Sequence, residues 1–476
     1  VATGVGSASS GDDTTAPNTL AFHCPYGKQV DYAFETTGEV TVLDHAPHLD
    51  LPNGSVSADR GSTIDGGAAT GTVNGGWDVF AYEGDLIAFE ITGGDCADLE
   101  LWDSGKPVDA CELAARLPKP GGAIDGEPTV LTHCTTIDEP GYYVLGDDLS
   151  GENREVCLEI AADDVVLDGQ GHSVGGNYEG VGLRVTGDDA VVRDLVVVEW
   201  DVCMQVRGDR ALIRQVTLQN GDRVIEDEPG DDRTIGLDVE EAAGCTVRAV
   251  EVYAGREGAK LTSAPDAVLV NSSIEGGGIE ARTGDDDRTD AVVLRESPDA
   301  ILAGNECTGF RFGCLVDGSH RAVLRNNQFS SADFGLSALR LSNCESPAVI
   351  DNVSRNFQPI NLLNVTDGVL RGNVARGGET FGIQIEQGSN NVLFQNRAIR
   401  NQEGPGVGLA DTSGNVLVGN EIRDNGSGGG DAGLRLTDAV DNVVVRNRIC
   451  ENVATDQIVV EGASSGNLFI ENDTTC

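Results

Sequence analysis

The chain is short of lysine, aromatic rings, methionine and long apolar runs. Lysine occurs only at Lys28, Lys106, Lys119 and Lys260, so most of the 32 basic side chains are arginines, against 78 acidic ones in 476 residues. A net charge of −46 leaves no basic footprint for phosphates, which excludes nucleic acid as a partner. No apolar run reaches the ~18 residues of a membrane span, so no spanning helix is expected. Aromatics, at 5%, are sparse for a large globular core and suit thin layers of Val, Ile and Leu. Six histidines and the single Met204 make a poor ligand set for soft metals, and His45 and His48 are the only histidine cluster.

What is abundant is acid, glycine and cysteine. Charge of one sign destabilises a compact state in dilute buffer. Molar salt shortens the Debye length to roughly 3 Å and screens that repulsion. An acidic, Lys-poor surface is thus the composition of a halophilic protein. The 63 glycines imply many turns. Twelve cysteines, an even number with no CxxC, point to disulfides and an extracellular setting. Cys450 precedes the terminal Cys476 by one repeat, which makes Cys450–Cys476 a candidate staple on the last coil. Val1 to Ser10, VATGVGSASS, reads as the tail of an export signal; the alternative is a disordered N-terminus.

Three regions follow. Residues 1–19 are polar and expected to be flexible. Residues 20–117 carry short alternating stretches, Val30–Phe34, Glu39–Leu43, Trp77–Tyr82, Leu86–Ile91 and Leu99–Trp102, which predict a small β-sandwich. Residues 118–129 are a Pro-rich linker, and residues 130–476 are repetitive. A strand-like motif recurs at Val156 (VCLEI), Val181 (VGLRV), Val202 (VCMQV), Ile235 (IGLDV), Gly313 (GCLVD), Phe381 (FGIQI), Val407 (VGLAD) and Ala432 (AGLRL), with degenerate copies near Ala259, Asp290, Gly335, Ile360 and Asp456, and most spacings are 21–26 residues. A second strand follows each copy. An asparagine then falls at Asn305, Asn327, Asn352, Asn373, Asn396, Asn420, Asn447 and Asn472, with gaps of 22, 25, 21, 23, 24, 27 and 25.

That period has a physical cause. If one coil holds three short strands, each pairs with its counterpart one coil away, about 4.8 Å along the axis, and equivalent side chains stack. Stacked Val and Leu fill the interior, and stacked asparagines bond amide to amide. The predicted fold is all-β: a right-handed parallel β-helix of about 13 coils preceded by the small sandwich. In this register Cys157, Cys203 and Cys314 share one slot, as small buried residues or disulfide partners. Trp200, after an apolar run, is expected to cap a strand turn.

GYYVLGDDLSG (141–151) and CLEIAADDVVLDGQGHSVGG (157–176) resemble the first coils of NosD-type proteins, within the pectin-lyase-like β-helix superfamily. The resemblance spans about residues 130–476 and is specific for fold. The superfamily includes lyases, hydrolases, epimerases, accessory proteins, tailspikes and adhesins, so it is weak for function. ATGTVNGGWDVFAYEGDLIAFEI (69–91) more loosely resembles a sandwich module of secreted haloarchaeal proteins. NosD proteins are associated with copper-site maturation, which the scarcity of His and Met here disfavours.

Two insertions, GDRVIEDEPGDDRT (221–234) and EARTGDDDRT (280–289), fall late in their coils and should leave the same turn of the solenoid, about 10 Å apart. Asp231, Asp232, Asp285, Asp286 and Asp287 offer hard oxygen ligands for Ca²⁺. Arg233 and Arg288 offer guanidinium forks for an acidic sugar. Resemblance to pectate lyases implies a calcium-neutralised uronate and an arginine base, whereas an acidic chain also carries such runs merely as solvated loops. Asp168 with Asp194, or Asp351 with nearby acids, are imaginable hydrolytic pairs that nothing selects. Trp77, Trp102 and Tyr82 are candidate sugar platforms, or else the sandwich core.

The reading that results is a secreted or surface protein of a salt-loving archaeon that binds extracellular polysaccharide, a surface glycoprotein or matrix without catalysis. The rivals are a lyase or hydrolase of acidic polysaccharide, and a self-associating filament, sheath or spike subunit.

Overall fold

The computed structural model describes residues 18–36, 38–43, 63–83, 86–120, 127–151, 154–220, 234–254, 257–276, 290–309, 311–331, 336–427 and 431–476. The chain divides into two compact units, Val1–Ala115 and Arg116–Cys476.

The first unit has two antiparallel sheets. One orders the strands Val40–Val42, Trp77–Tyr82, Asn18–His23, Glu100–Asp103 and Lys106–Asp109; the other orders Thr63–Asp65, Ala68–Val73, Val30–Thr36 and Leu86–Gly93. Their inner faces meet through rings. Phe22 stacks on Tyr32 with centroids 4.0 Å apart, and Phe34, Phe80 and Phe89 close around it. The few aromatics of the chain are thus concentrated where a small core needs large side chains. Asn18 and Thr19, read as flexible from sequence, open the first strand; residues 1–17 lie outside the described residues. The Cys96–Cys111 disulfide ties a short turn to the helix Ala110–Arg116.

The second unit is a parallel β-helix of about 12 turns from residue 136 onward. One wall is a sheet of fourteen parallel strands from Thr136–Ile137 to Ile458–Glu461. The other strands form a sheet of 26 that bends into two walls. Val191–Val198 and Leu212–Gln219 run through that bend unbroken, whereas later coils split there, as in Val268–Val270 and Ser273–Gly276. Strict register stacks the interior: Ile160, Val185, Val206, Val239, Leu261 and Leu294 form one column in successive coils. All six are at most 1% exposed, and each such burial is worth roughly 1.5–3 kcal/mol.

The eight asparagines form a continuous ladder. Asn373 is typical: its Oδ1 accepts from the backbone N and the Nδ2 of Asn352 at 3.0 and 3.1 Å, and its Nδ2 donates to Val349 O at 2.7 Å and Asn396 Oδ1 at 2.9 Å. Both donors and both acceptor sites of the amide are therefore used. The residue before each ladder asparagine turns the chain inward with a left-handed backbone, as at Asn326, Asp351 and Gln395. Ser272 continues the column, its backbone N donating to Asn305 Oδ1 at 3.0 Å. Two further ladders run alongside, Asn391–Asn415–Asn442–Asn467 and Asn401–Asn425–Asn452.

The structure corrects the register of one repeat copy. Phe312, not Gly313, pairs with Asp290, and Cys314 pairs with Val292 in the interior column. Cys314 therefore sits one position beyond the slot of Cys157 and Cys203. In a strand a one-residue slip exchanges inside for outside, so the shift turns Leu315 outward. Trp200 lies in the turn after the strand Val191–Val198; it is fully buried, and its Nε1 donates to Val174 O at 3.1 Å. Gly151, Gly176 and Gly182 surround the indole, and a Cβ at any of them would run into it. Disulfides join Cys134 to Cys157 and Cys450 to Cys476, the latter the staple expected on the last coil.

Candidate functional site

On the fourteen-stranded wall, the positions between the two interior columns point outward. Across three adjacent strands, Asp290–Arg295, Phe312–Asp317 and Ser337–Ser342, register places Asp290 beside Phe312, Val293 beside Leu315 beside Arg340, and Arg295 beside Asp317 beside Ser342. All of these except Val293, with Arg311, Asn343 and Leu363, line a pocket of about 270 Å³.

Its chemistry is unusual for so acidic a chain. Three guanidiniums, of Arg295, Arg311 and Arg340, open onto one cavity. Phe312, 1% exposed, is the floor beneath two of them: the Arg311 Cζ lies 4.9 Å and the Arg340 Cζ 5.9 Å from its ring centroid. Cation–π attraction fixes both cations over the ring and leaves their edges free to bond. Arg340 Nε also donates to Ser342 Oγ at 3.2 Å, and Asn343 Nδ2 donates to Asp317 Oδ1 at 2.9 Å. Asp290 is 1% exposed, and its Oδ1 is buried without a hydrogen-bond partner. Burial pushes its carboxyl up to about 6, against the pull of Arg311. Such an arrangement suits a carboxylate on the guanidinium forks and a hydroxyl or carboxyl at Asp290. Asp290 and Asp317 stand at opposite ends of their strands, five residues apart in register, or roughly 16 Å along the wall. That exceeds the roughly 5–9.5 Å of a glycosidase carboxyl pair.

Toward the N-terminus the same outward column carries a chain of polar side chains paired with one another. Arg184 Nε donates to Gln205 Oε1 at 2.9 Å, Gln205 Nε2 to Asp238 Oδ2 at 3.3 Å, and Lys260 Nζ lies 3.4 Å from Asp238 Oδ1. Arg207 bridges Asp238 and Glu240.

Asp231, Asp232, Arg233, Asp285, Asp286, Asp287 and Arg288 lie outside the described residues. Their segments do lead into equivalent places: one enters the strand Ile235–Glu240 through Thr234, the other begins the strand at Asp290, two coils further on. Trp77 is fully buried, stacked on His23 at 4.8 Å and edge-on to Trp102 at 6.4 Å. Tyr82 is 4% exposed and donates to Asp103 Oδ1 at 2.9 Å, so Trp102 alone of the three keeps a partly open ring. Asp168 is ion-paired with Arg193 at 3.0 Å, whereas Asp194 is an exposed bend residue. The pocket was missed because its three arginines are 16 and 29 residues apart in sequence and share a face only in the correct register.

The stacked parallel walls and the asparagine ladder define a parallel β-helix. Residues 270–474 match the family described as periplasmic copper-binding protein (NosD). No curated protein matches the chain. Similar solved structures include the periplasmic alginate epimerase AlgG, with 13% identity over 71% of this chain and 79% of that one at a TM-score of 0.46. The A-module of the Azotobacter vinelandii mannuronan C-5 epimerase AlgE6 has 13% identity over 72% and 91%, at a TM-score of 0.42. The Dettilon tailspike protein has 14% identity over 67% and 60%, at a TM-score of 0.39.

The described residues do not fit copper. None of their His, Cys, Asp and Glu side chains form a group of three able to hold a metal. His23 and His172 face carboxylates, and His320 Nδ1 accepts from the Glu345 backbone N. Met204 is sealed in the interior. The free thiols of Cys203, Cys245, Cys307, Cys314 and Cys344 are buried, which pushes Cys245 up to about 12 and Cys344 to about 11. At such values they are neither nucleophiles nor thiolate ligands near neutrality.

Proposed function

We propose that this chain is an extracytoplasmic β-helix protein that binds an acidic polysaccharide on the outward face of its fourteen-stranded wall. The carrying observation is the convergence of Arg295, Arg311 and Arg340 on one pocket in a chain of net charge −46. Arginines held against a ring and pointed at an open cavity suit planar anions, and a cationic island in an acidic surface selects for them. Three disulfides among the described residues and the periplasmic description of the matched family support work outside the cytoplasm. The acidic, Lys-poor composition supports concentrated salt as the working medium. Among the described residues the pocket's two carboxyls, of Asp290 and Asp317, stand too far apart for a glycosidase pair, which supports binding as the reading.

Titration calorimetry in molar NaCl tests this with a hexuronate oligomer and its carboxyl-reduced, neutral counterpart. The acidic oligomer should bind, the neutral one should not, and Arg340→Ala should weaken binding about tenfold or more. Equal binding of both sugars, or of neither, refutes the reading. Ultraviolet absorbance of unsaturated uronate appearing during the titration would replace binding by lyase chemistry.

A further inference from the structure

The oxygen that the pocket leaves without a partner points to a more specific ligand. Asp290 lies at the head of its strand, between Glu257 of the preceding coil and Phe312 of the following one. The groups facing it come from every neighbouring strand. Glu257 brings like charge, Arg311 and, more distantly, Arg295 bring opposite charge, the Phe312 amide is a hydrogen-bond donor, and the Cys314 thiol is neutral. Gly276 and Gly309 press backbone, not charge, against this end of the strand. The carboxyl is thus almost wholly out of water, yet its Oδ1 has no donor among these neighbours.

A buried carboxylate oxygen without a donor is unfavourable, whereas the neutral acid satisfies itself by donating one hydrogen bond. Asp290 also lines the arginine-lined pocket, where a ligand group can complete that bond. We propose that Asp290 binds its ligand as the carboxylic acid, donating its proton to a carboxylate oxygen of a uronic-acid residue that the guanidiniums hold. This rests on the reading of the site as one for acidic polysaccharide. It adds that the recognised group is a carboxylate and that its capture takes up a proton. No bond to carbon forms or breaks: above the free-state titration of Asp290, one solvent proton moves onto its carboxyl and lies between two carboxyl groups in the complex.

The sign follows directly. Asp290 titrates near 6 in the free protein. A ligand that binds only the protonated form raises that value, so binding is tight and pH-independent below about 6. It weakens by up to about tenfold per pH unit above it. Sugar carboxylates ionise well below this window, near the ordinary carboxyl range of roughly 3.3–4.3, and so do not confuse the profile.

The experiment is titration calorimetry of the full chain with a hexuronate trimer from pH 5 to 8, in buffers of different ionisation enthalpy. A sulfated oligosaccharide and the carboxyl-reduced trimer are run in parallel. The wild type should lose up to about 50-fold in affinity between pH 6 and 8 and take up close to one proton per trimer at pH 8. Asp290→Asn keeps a donor that does not titrate, so its affinity should be flat with pH and exceed that of the wild type at pH 8. Far-UV circular dichroism checks the variant's fold, and proton uptake by the unmutated chain stands without it. Binding that is flat with pH, or a D290N profile like the wild type's, overturns the inference while leaving the acidic-polysaccharide reading intact. Equal proton-linked binding of the sulfated sugar overturns the carboxylate assignment. Failure of every acidic sugar at every pH overturns both.

Discussion

Replacing Asn373 by leucine isolates what the asparagine ladder contributes. Leucine is close in size and apolar, so packing changes little while hydrogen bonding is lost. Without the Asn373 amide, the Asn352 backbone N–H and one Nδ2 hydrogen of Asn352 lose their acceptor, and Val349 O loses its donor. Asn396 Oδ1 still receives the backbone N of residue 373. Each buried group left unpaired costs about 1–3 kcal/mol. Three of them, partly offset by the apolar gain of leucine, give a net loss of about 3–5 kcal/mol. Asn373→Asp should be no better, because the oxygen that replaces Nδ2 would face the acceptors Val349 O and Asn396 Oδ1. A solenoid opens locally, coil by coil, so a single melting midpoint is a poor reporter. Hydrogen exchange of the Asn352 amide is the direct one: its protection should fall by about 100-fold or more, at roughly 1.4 kcal/mol per factor of ten. Asn472→Leu is the control. Asn472 accepts from Asn447 in the same way but is only partly buried, on the last coil, where water can replace the lost partner. Wild-type protection in N373L, or equal losses in the two variants, would refute the account of the ladder as a buried, mutually satisfied network.

Other consequences can be checked separately. Raising NaCl from 0.1 to 1 M shortens the Debye length from about 10 to about 3 Å, and with a net charge of −46 the thermal midpoint should rise steeply; an unchanged midpoint in differential scanning calorimetry would sink the halophilic reading. Cys476→Ser opens a loop of 26 residues; it should cost up to about 3–4 kcal/mol, concentrated in the last coil and visible as faster exchange over residues 450–476. Because the folded state raises Asp290 from 3.8 to about 6, stability associated with its proton is complete below 3.8 and lost as pH rises through 6. Asp290→Asn should therefore stabilise the protein at pH 7 by up to about 3 kcal/mol and change little at pH 3, measured by urea denaturation at the two pH values.

The sequence carried the repeat unevenly. One column of eight asparagines was legible because its spacing is regular and the residue type is uncommon in a core. The flanking ladders through Asn391 and Asn401 were equally present, as asparagines five apart in each coil at 391, 396 and 401, then 415, 420 and 425. They were overlooked because one offset was followed instead of all three. The strands Ala68–Val73 and Asn18–His23 were missed where small and polar residues dilute the alternation that marks a strand.

By itself the sequence determined the fold of the long unit, because a coil must return to register every two dozen or so residues and that constraint is written in period and residue type. It also determined the Cys450–Cys476 staple and the acidic, Lys-poor surface. Only the tertiary structure decided which side chains meet outside the coil. Asp290, Arg311, Phe312 and Arg340 converge through strand register, and register carries a parity that approximate repeats do not transmit: starting one copy at Gly313 instead of Phe312 turns its whole face inside out. The buried, unpartnered oxygen of Asp290 was likewise invisible, since burial is a property of the neighbours that three separate coils bring to it.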